Sequence, residues 1–162
     1  MSEQSKIRVL FVCMGNICRS PTAEAVFRHA IAKAGLKDVI ECDSAGTHGY
    51  HFDEAPDHRA QYVASRRGYD MSQLRGRKVG SHDFEQFDYV VAMDRHNLAL
   101  LERLCPPHHA GKLALYCDFH AAFEGREVPD PYYGGPRGFE QVLDMIEAVS
   151  TSLIAHIEKK RR

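Results

Sequence analysis

Apolar residues are nearly continuous over residues 9–13 of the run IRVLFVC (7–13), and this run is short and β-branched. Such a pattern predicts a parallel strand covered on both faces. Ser20 and Pro21 then read as the N-cap and first residue of a helix running to about residue 34, stopped by Gly35. Residues 39–42 form a second short strand pattern, followed by DSAGT at 43–47, and residues 57–67 read as a helix ended by Gly68. DYVVA at 88–92 is a third strand. Asp94 is placed to cap a helix that reaches about residue 104, before Pro106 and Pro107. Residues 113–116 form a fourth strand. Residues 123–138 carry Pro129, Pro131, Gly134, Gly135 and Pro136, which predicts a long loop. Beyond it, apolar residues at 139, 142, 143, 146, 149, 153 and 157 mark a helical stripe to about residue 158.

The alternation of strands and helices predicts a single α/β domain over residues 1–162. Its four-stranded parallel sheet would be doubly wound, with helices on both faces, as in flavodoxin-like folds. Ligands of such sheets bind beyond the carboxyl ends of the strands, and Cys13 sits at the end of the first.

Composition narrows the class. The chain has 162 residues, 44% hydrophobic and 27% charged, which suits a globular fold and argues against disorder. Its 21 Lys and Arg against 22 Asp and Glu give a formal charge of −1, with no basic field for nucleic acid. No apolar run approaches the roughly 20 residues of a membrane span. Residues 7–14 lack the small-residue cleavage site of a secretory signal. Cys13, Cys18, Cys42, Cys105 and Cys117 make an odd count in a chain of ordinary size. Free thiols in a reducing, cytoplasmic compartment are therefore expected.

The chemistry concentrates in Cys13-Met14-Gly15-Asn16-Ile17-Cys18-Arg19-Ser20-Pro21. A loop between a strand and a helix N-terminus presents unpaired N–H groups and a partial positive charge, which together form an anion site. Gly15 lets the backbone curl towards a ligand, and Asn16 tolerates left-handed dihedrals. Arg19 adds a fork matched to phosphate oxygens. Neither Gly-Lys-Ser/Thr nor G-x-G-x-x-G is present, so this is not a nucleotide loop. Cys13 at the loop entry, six residues before Arg19, instead makes a thiolate nucleophile. The backbone of Met14, Gly15, Asn16, Ile17, Cys18 and Ser20 is expected to hold the substrate's anionic group. Cys18 reads equally as a packing thiol or as a resolving thiol that protects Cys13 through a disulfide.

A thiolate attacking phosphorus needs a proton donor for the leaving oxygen. Asp130, fixed between Pro129 and Pro131, is the candidate, and Tyr132 and Tyr133 are placed to wall a flat aromatic substrate. Cys105-Pro-Pro-His108-His109 lacks a second ligand pair, so no metal is expected. Arg66, Arg67, Arg75, Arg77 and Lys78 are either a basic rim or an ordinary solvated face. Lys159 through Arg162 suit the end of a helix.

These residues resemble the low-molecular-weight protein tyrosine phosphatases over nearly the whole chain. The resemblance rests on CMGNICRSP (13–21), DSAGT (43–47), AMDRHN (92–97) and DPYY (130–133), in that order. It implies that Cys13 is the nucleophile, that Arg19 binds the phosphoryl group, and that Asp130 is the general acid and then the general base. It implies that Asn16, Ser20 and Ser44 support the loop, and that Tyr50 and Tyr132 flank the pocket. The substrates implied are phosphotyrosine-containing proteins, with inorganic phosphate and other oxyanions as ligands and no cofactor. Two positions depart from the family. Leu74 stands where many members have a histidine of the loop network, and Asp53 stands where a glycine is common.

Three rivals share parts of this reading. An arsenate reductase on the same fold needs two further cysteines close together, whereas Cys105 and Cys117 are far apart in sequence. Protein-arginine phosphatases tend to have Thr where Ile17 stands. A non-catalytic phosphopeptide-binding module has no need of intact Cys13, Arg19 and Asp130.

Overall fold

The strand runs pair as the apolar pattern requires. A computed structural model of the chain describes residues 6–132 and 135–161. Strands β1 (Ile7–Cys13), β2 (Ile40–Gly46), β3 (Tyr89–Ala92) and β4 (Leu113–Leu115) form one parallel sheet in the order β2-β1-β3-β4. This is the flavodoxin-like order, in which the chain winds outward from β1 in both directions and leaves a crevice between the ends of β1 and β3.

Period-two alternation in β1 divides its side chains between two cores. Val9, Phe11 and Cys13 join the cluster formed with helices α1 (Arg19–Lys33), α2 (His58–Arg66) and α5 (Pro136–Arg161). Leu10 and Val12 join the opposite cluster, with Phe84 of α3 (Ser81–Gln86) and Leu101 of α4 (Arg95–Leu104). Because β1 is covered on both faces, residues 9–12 are fully buried, which explains why they read as an unbroken apolar run.

The cap expected at Asp94 is present, and Asp57, expected as the first residue of its helix, also serves as a cap. Asp57 accepts from the Arg59 N–H at 2.8 Å and Asp94 from the Asn97 N–H at 2.8 Å. Gly35 and Gly68, just past α1 and α2, adopt φ of 75° and 91°.

Several elements differ from expectation. Helix α1 begins at Arg19 with Cys18 as its N-cap, rather than being capped by Ser20. Strand β2 continues to Gly46, because residues 43–46 pair along β1 from Leu10 to Cys13 despite their polarity. Helix α3 was not anticipated; the Gly80 N–H donates to Asp83 Oδ2 at 2.8 Å and supports its first turn. Helix α5 starts at Pro136 inside the expected loop, since proline suits a first helical turn. No helix of the described residues is long and apolar enough to cross a membrane.

Candidate active site

The strand ends position one cavity. It has a volume of about 210 Å³ and is lined by Cys13, Met14, Gly15, Ile17, Cys18, Arg19, Tyr50, His51, Asp130 and Tyr132. The Cys13 loop forms one side, the Asp130 segment another, and Tyr50 and Tyr132 stand apart in sequence but together at the mouth.

The loop takes its shape from Asn16, which is 2% exposed and left-handed at φ 58°. Its Nδ2 donates to Ser20 Oγ at 2.9 Å and to Ser44 Oγ at 3.0 Å, and its Oδ1 accepts from the Arg77 N–H at 3.0 Å. These bonds hold the curl from behind. Helix α1 has no side-chain N-cap and no acidic residue in its first turn. Among the described residues, no protein acceptor is bonded to the backbone N–H of Gly15, Ile17 or Cys18. An oxyanion is the partner such a loop lacks.

Ser20 Oγ lies 3.0 Å from the Cys13 sulfur, and the Ser20 N–H donates to the same sulfur at 3.5 Å. An ionised sulfur there accepts both. Cys13 is only 3% exposed, so reagents reach it through the cavity. The polar chain continues inward, where Ser44 Oγ–H donates to Glu24 Oε1 at 2.6 Å and Arg28 pairs with the other Glu24 oxygen. Burial pushes the Glu24 carboxyl above its usual range, opposed by the Ser44 hydrogen bond and by Arg28. Leu74 packs against the first core, so the polar chain runs from Asn16 through Ser44 to Glu24 and Arg28.

Arg19 is fixed from the opposite side. Its Nη1 donates to Asp94 Oδ2 at 2.7 Å and to the Val128 carbonyl at 3.0 Å, and its Nη2 lies 3.6 Å from Asp130 Oδ2. Burial opposes the charge, but the Cys13 sulfur, Asp94 and Asp130 outweigh it and raise the guanidinium above its ordinary value. Asp94 thus caps α4 with one oxygen and aims Arg19 with the other. The sequence predicted only the cap.

The mouth is built from two aromatic side chains. Tyr50 is 69% exposed and stacks on His48, with centroids 5.0 Å apart and planes at 11°. Tyr132 lies under the Arg59 guanidinium at 5.3 Å, and its N–H donates to Asp130 Oδ1 at 3.0 Å. The 50–54 loop is clamped by its backbone. Asp53 N–H donates to the Gly76 carbonyl at 2.7 Å, and Gly76 N–H to the Glu54 carbonyl at 2.8 Å. A Cβ on Gly76 would come within 2.2 Å of the His51 carbonyl oxygen, so only glycine fits there. Asp53 itself has φ 63°, a conformation that glycine adopts without strain.

Most expected site residues meet here, but not all do so in the expected way. The side chains of Asn16 and Ser20 do not line the cavity; both are buried behind its floor. Tyr133 lies outside the described residues. His51 was missed, since a histidine in a polar loop carries no periodic signal. The arginines do not form a common rim. Arg67 pairs with Glu140, Asp144 and Glu147, and Arg77 pairs with Asp43 and Asp83. Arg75 bonds to the carbonyls of Ser72 and Leu74.

Cys18 lines the cavity beside Cys13, and both are free thiols. Burial, reinforced by Asp57, Cys13 and Asp130, pushes the Cys18 thiol far above its usual range. Cys105 packs with the second core while Cys117 is buried in the first, on the opposite face of the sheet. The pair a disulfide relay would need is therefore separated by the sheet itself.

Comparison with known proteins agrees with this geometry. The model of the low molecular weight phosphotyrosine protein phosphatase family matches residues 8–162. A low molecular weight protein-tyrosine-phosphatase of Streptomyces coelicolor is 46% identical over 156 residues, covering 94% of each chain. The Homo sapiens low molecular weight phosphotyrosine protein phosphatase is 39% identical, covering 88% of this chain and 90% of its own. Among solved structures, a protein tyrosine phosphatase from Entamoeba histolytica superposes with a TM-score of 0.92 at 42% identity, over 97% of this chain and 100% of that one. YfkJ from Bacillus subtilis gives 0.93 at 38% identity, over 99% and 100%. With an oxyanion loop, a cysteine at its entry and relatives matched along almost their full lengths, the chain belongs to the low-molecular-weight phosphotyrosine protein phosphatase family.

Proposed function

We propose that the protein hydrolyses phosphotyrosine in proteins through a cysteinyl-phosphate intermediate. The observation that carries this reading is the Cys13 sulfur, backed by Ser20, in a cavity that Arg19 and Asp130 also line. The loop N–H groups and the Arg19 guanidinium hold the three non-bridging phosphoryl oxygens. Cys13 Sγ attacks phosphorus in line, the bond to the phenolic oxygen breaks, and protonated Asp130 gives its proton to that oxygen. Ionised Asp130 then takes a proton from water as the water attacks phosphorus. The sulfur–phosphorus bond breaks, and inorganic phosphate leaves with the Cys13 thiolate restored. Fixed dipoles and Arg19 stabilise the transferring group without reorganising, which supplies most of the acceleration.

Residues of this chain and one water account for every proton and charge in that sequence. The aromatic mouth favours a flat phenol, and the near-complete burial of Cys13 beneath it favours a long side chain over phosphoserine. Free thiols at all five cysteines support a reducing, cytoplasmic setting. The test is p-nitrophenyl phosphate hydrolysis in EDTA by the parent and by Cys13→Ser. The parent should turn over, and the variant should not while still binding vanadate. Appreciable turnover by Cys13→Ser removes Cys13 from the nucleophile's role.

A further inference from the structure

A second concavity of about 460 Å³ lies beside the first, between α2 and the start of α5. Arg59 is the ridge between them. Its guanidinium lies 5.3 Å from the Tyr132 ring, in the first cavity, and 4.8 Å from the Phe139 ring, in the second. Arg59, Tyr62, Val63 and Arg66 recur at helical spacing, so α2 presents all four on one face. Val63 and Phe139 are buried, while Tyr62 is 62% exposed and Arg66 lies over its ring at 5.8 Å.

The charges around this groove are unevenly compensated. Arg59 is paired with Asp57, and Glu140 on the far wall is paired with Arg67. Among the described residues no carboxylate pairs with Arg66, nor with Arg137, which opens α5 where the first turn holds no acidic residue. The groove therefore has an apolar aromatic floor and, among the described residues, two cations at its rim with no carboxylate partner.

We propose that this groove docks the stretch of phosphoprotein flanking the phosphotyrosine, taking one apolar side chain on Tyr62 and Phe139 and acidic side chains on Arg66 and Arg137. The assignment rests on the phosphatase reading above. Continuity favours the substrate's own chain over a separate ligand. A peptide whose phosphotyrosine enters the first cavity and whose flank passes Tyr132 and Arg59 reaches the groove directly, and its tether then makes docking effectively intramolecular. Each exposed charge pair contributes roughly two- to fivefold at low salt, so two give about tenfold.

The experiment uses three substrates: p-nitrophenyl phosphate, a phosphotyrosyl peptide with leucine and glutamates on both flanks, and a matched peptide with alanine and glutamine there. The parent should favour the acidic peptide about tenfold in kcat/KM, chiefly through KM, and the preference should shrink in 0.3 M NaCl. R66Q/R137Q should lose most of that preference, R66K/R137K should restore it, and neither should alter p-nitrophenyl phosphate turnover or the melting temperature. A parent that treats the two peptides alike overturns the proposal. So does a double variant that loses equally on both peptides. A parent whose peptide turnover is instead suppressed by an oligonucleotide, with no acidic preference, assigns the groove to nucleic acid. Absence of turnover on all three substrates refutes the phosphatase reading itself, and the docking assignment with it.

Discussion

Replacing Asn16 separates two contributions to the loop's stability. Asn16→Ala removes three hydrogen bonds among buried partners, to Ser20, Ser44 and the Arg77 N–H. Each is worth about 0.5–1.5 kcal/mol net. The substitution also forces alanine into a left-handed conformation, which costs about 1–2 kcal/mol. The expected loss is about 4 kcal/mol. For a chain of this size that lowers the melting temperature by about 8–16 °C. Asn16→Gly loses the same bonds and escapes the left-handed strain. It adds only about 0.5–1 kcal/mol of unfolded-chain entropy, so it should be milder than alanine by up to about 1 kcal/mol. Urea denaturation of the three proteins, read with phosphate inhibition constants, measures stability and loop shape together. Both variants should bind phosphate more weakly. A loss under about 1 kcal/mol in Asn16→Ala would refute this account of the loop, as would glycine proving costlier than alanine.

Other consequences are equally open to measurement. Asp130→Asn should lose about 10²–10⁴-fold on phosphotyrosine and much less on an aryl phosphate with a very acidic phenol; equal losses on both would leave Asp130 a structural role only. Peroxide should inactivate the enzyme, inorganic phosphate should slow that inactivation, and dithiothreitol should reverse it through a Cys13–Cys18 disulfide. Because the Cys18 thiol is pushed upward, disulfide closure should quicken as pH rises, and a Cys18→Ser variant that recovers as well as the parent rules out the resolving role. Burial raises the folded carboxyl of Glu24 above its unfolded value, so its contribution to stability is full below the ordinary carboxylate range and declines as pH rises through the folded value. Glu24→Gln should flatten the decline in urea midpoint over that window, and parallel profiles for the two proteins count against it. On matched peptides, kcat/KM should fall in the order phosphotyrosine, phosphoarginine, phosphoserine, since Ile17 offers phosphoarginine no hydroxyl; any other leading substrate overturns the aromatic-wall argument.

What could be read in the sequence was what obeys local rules. The unbroken apolar run of β1, the cap at Asp94, and the stripe of α5 each reflect burial or hydrogen bonding by neighbours in sequence. The meeting of Cys13, Arg19 and Asp130 in one cavity was legible because a strand, a glycine-bearing loop and a pair of prolines framed them. Helix α3 was not, since six polar-leaning residues are too few to show a period, and its support comes from Asp83 meeting the Gly80 N–H. The second task of Asp94 was also hidden, because Arg19 lies 75 positions away and only the sheet order brings them together. Nothing in the sequence singles out Glu24; its burial depends on Ser44 from β2 arriving opposite it. Arg67 and Arg77 read as a basic rim or an ordinary solvated face; acids of α5, β2 and α3, distant in sequence, fold against them.

The backbone clamp between Asp53, Glu54 and Gly76 separates the shape of the mouth from its chemistry. The loop is held by main-chain groups and by the one glycine that admits them, while Tyr50 and Phe52 are largely exposed. Their identities can therefore drift, or be randomised in a library, with little penalty to folding. Substrate preference becomes an exchangeable fitting on a fixed frame. Gly76, remote in sequence and outside the cavity lining, is a position at which such a lineage has no freedom to vary.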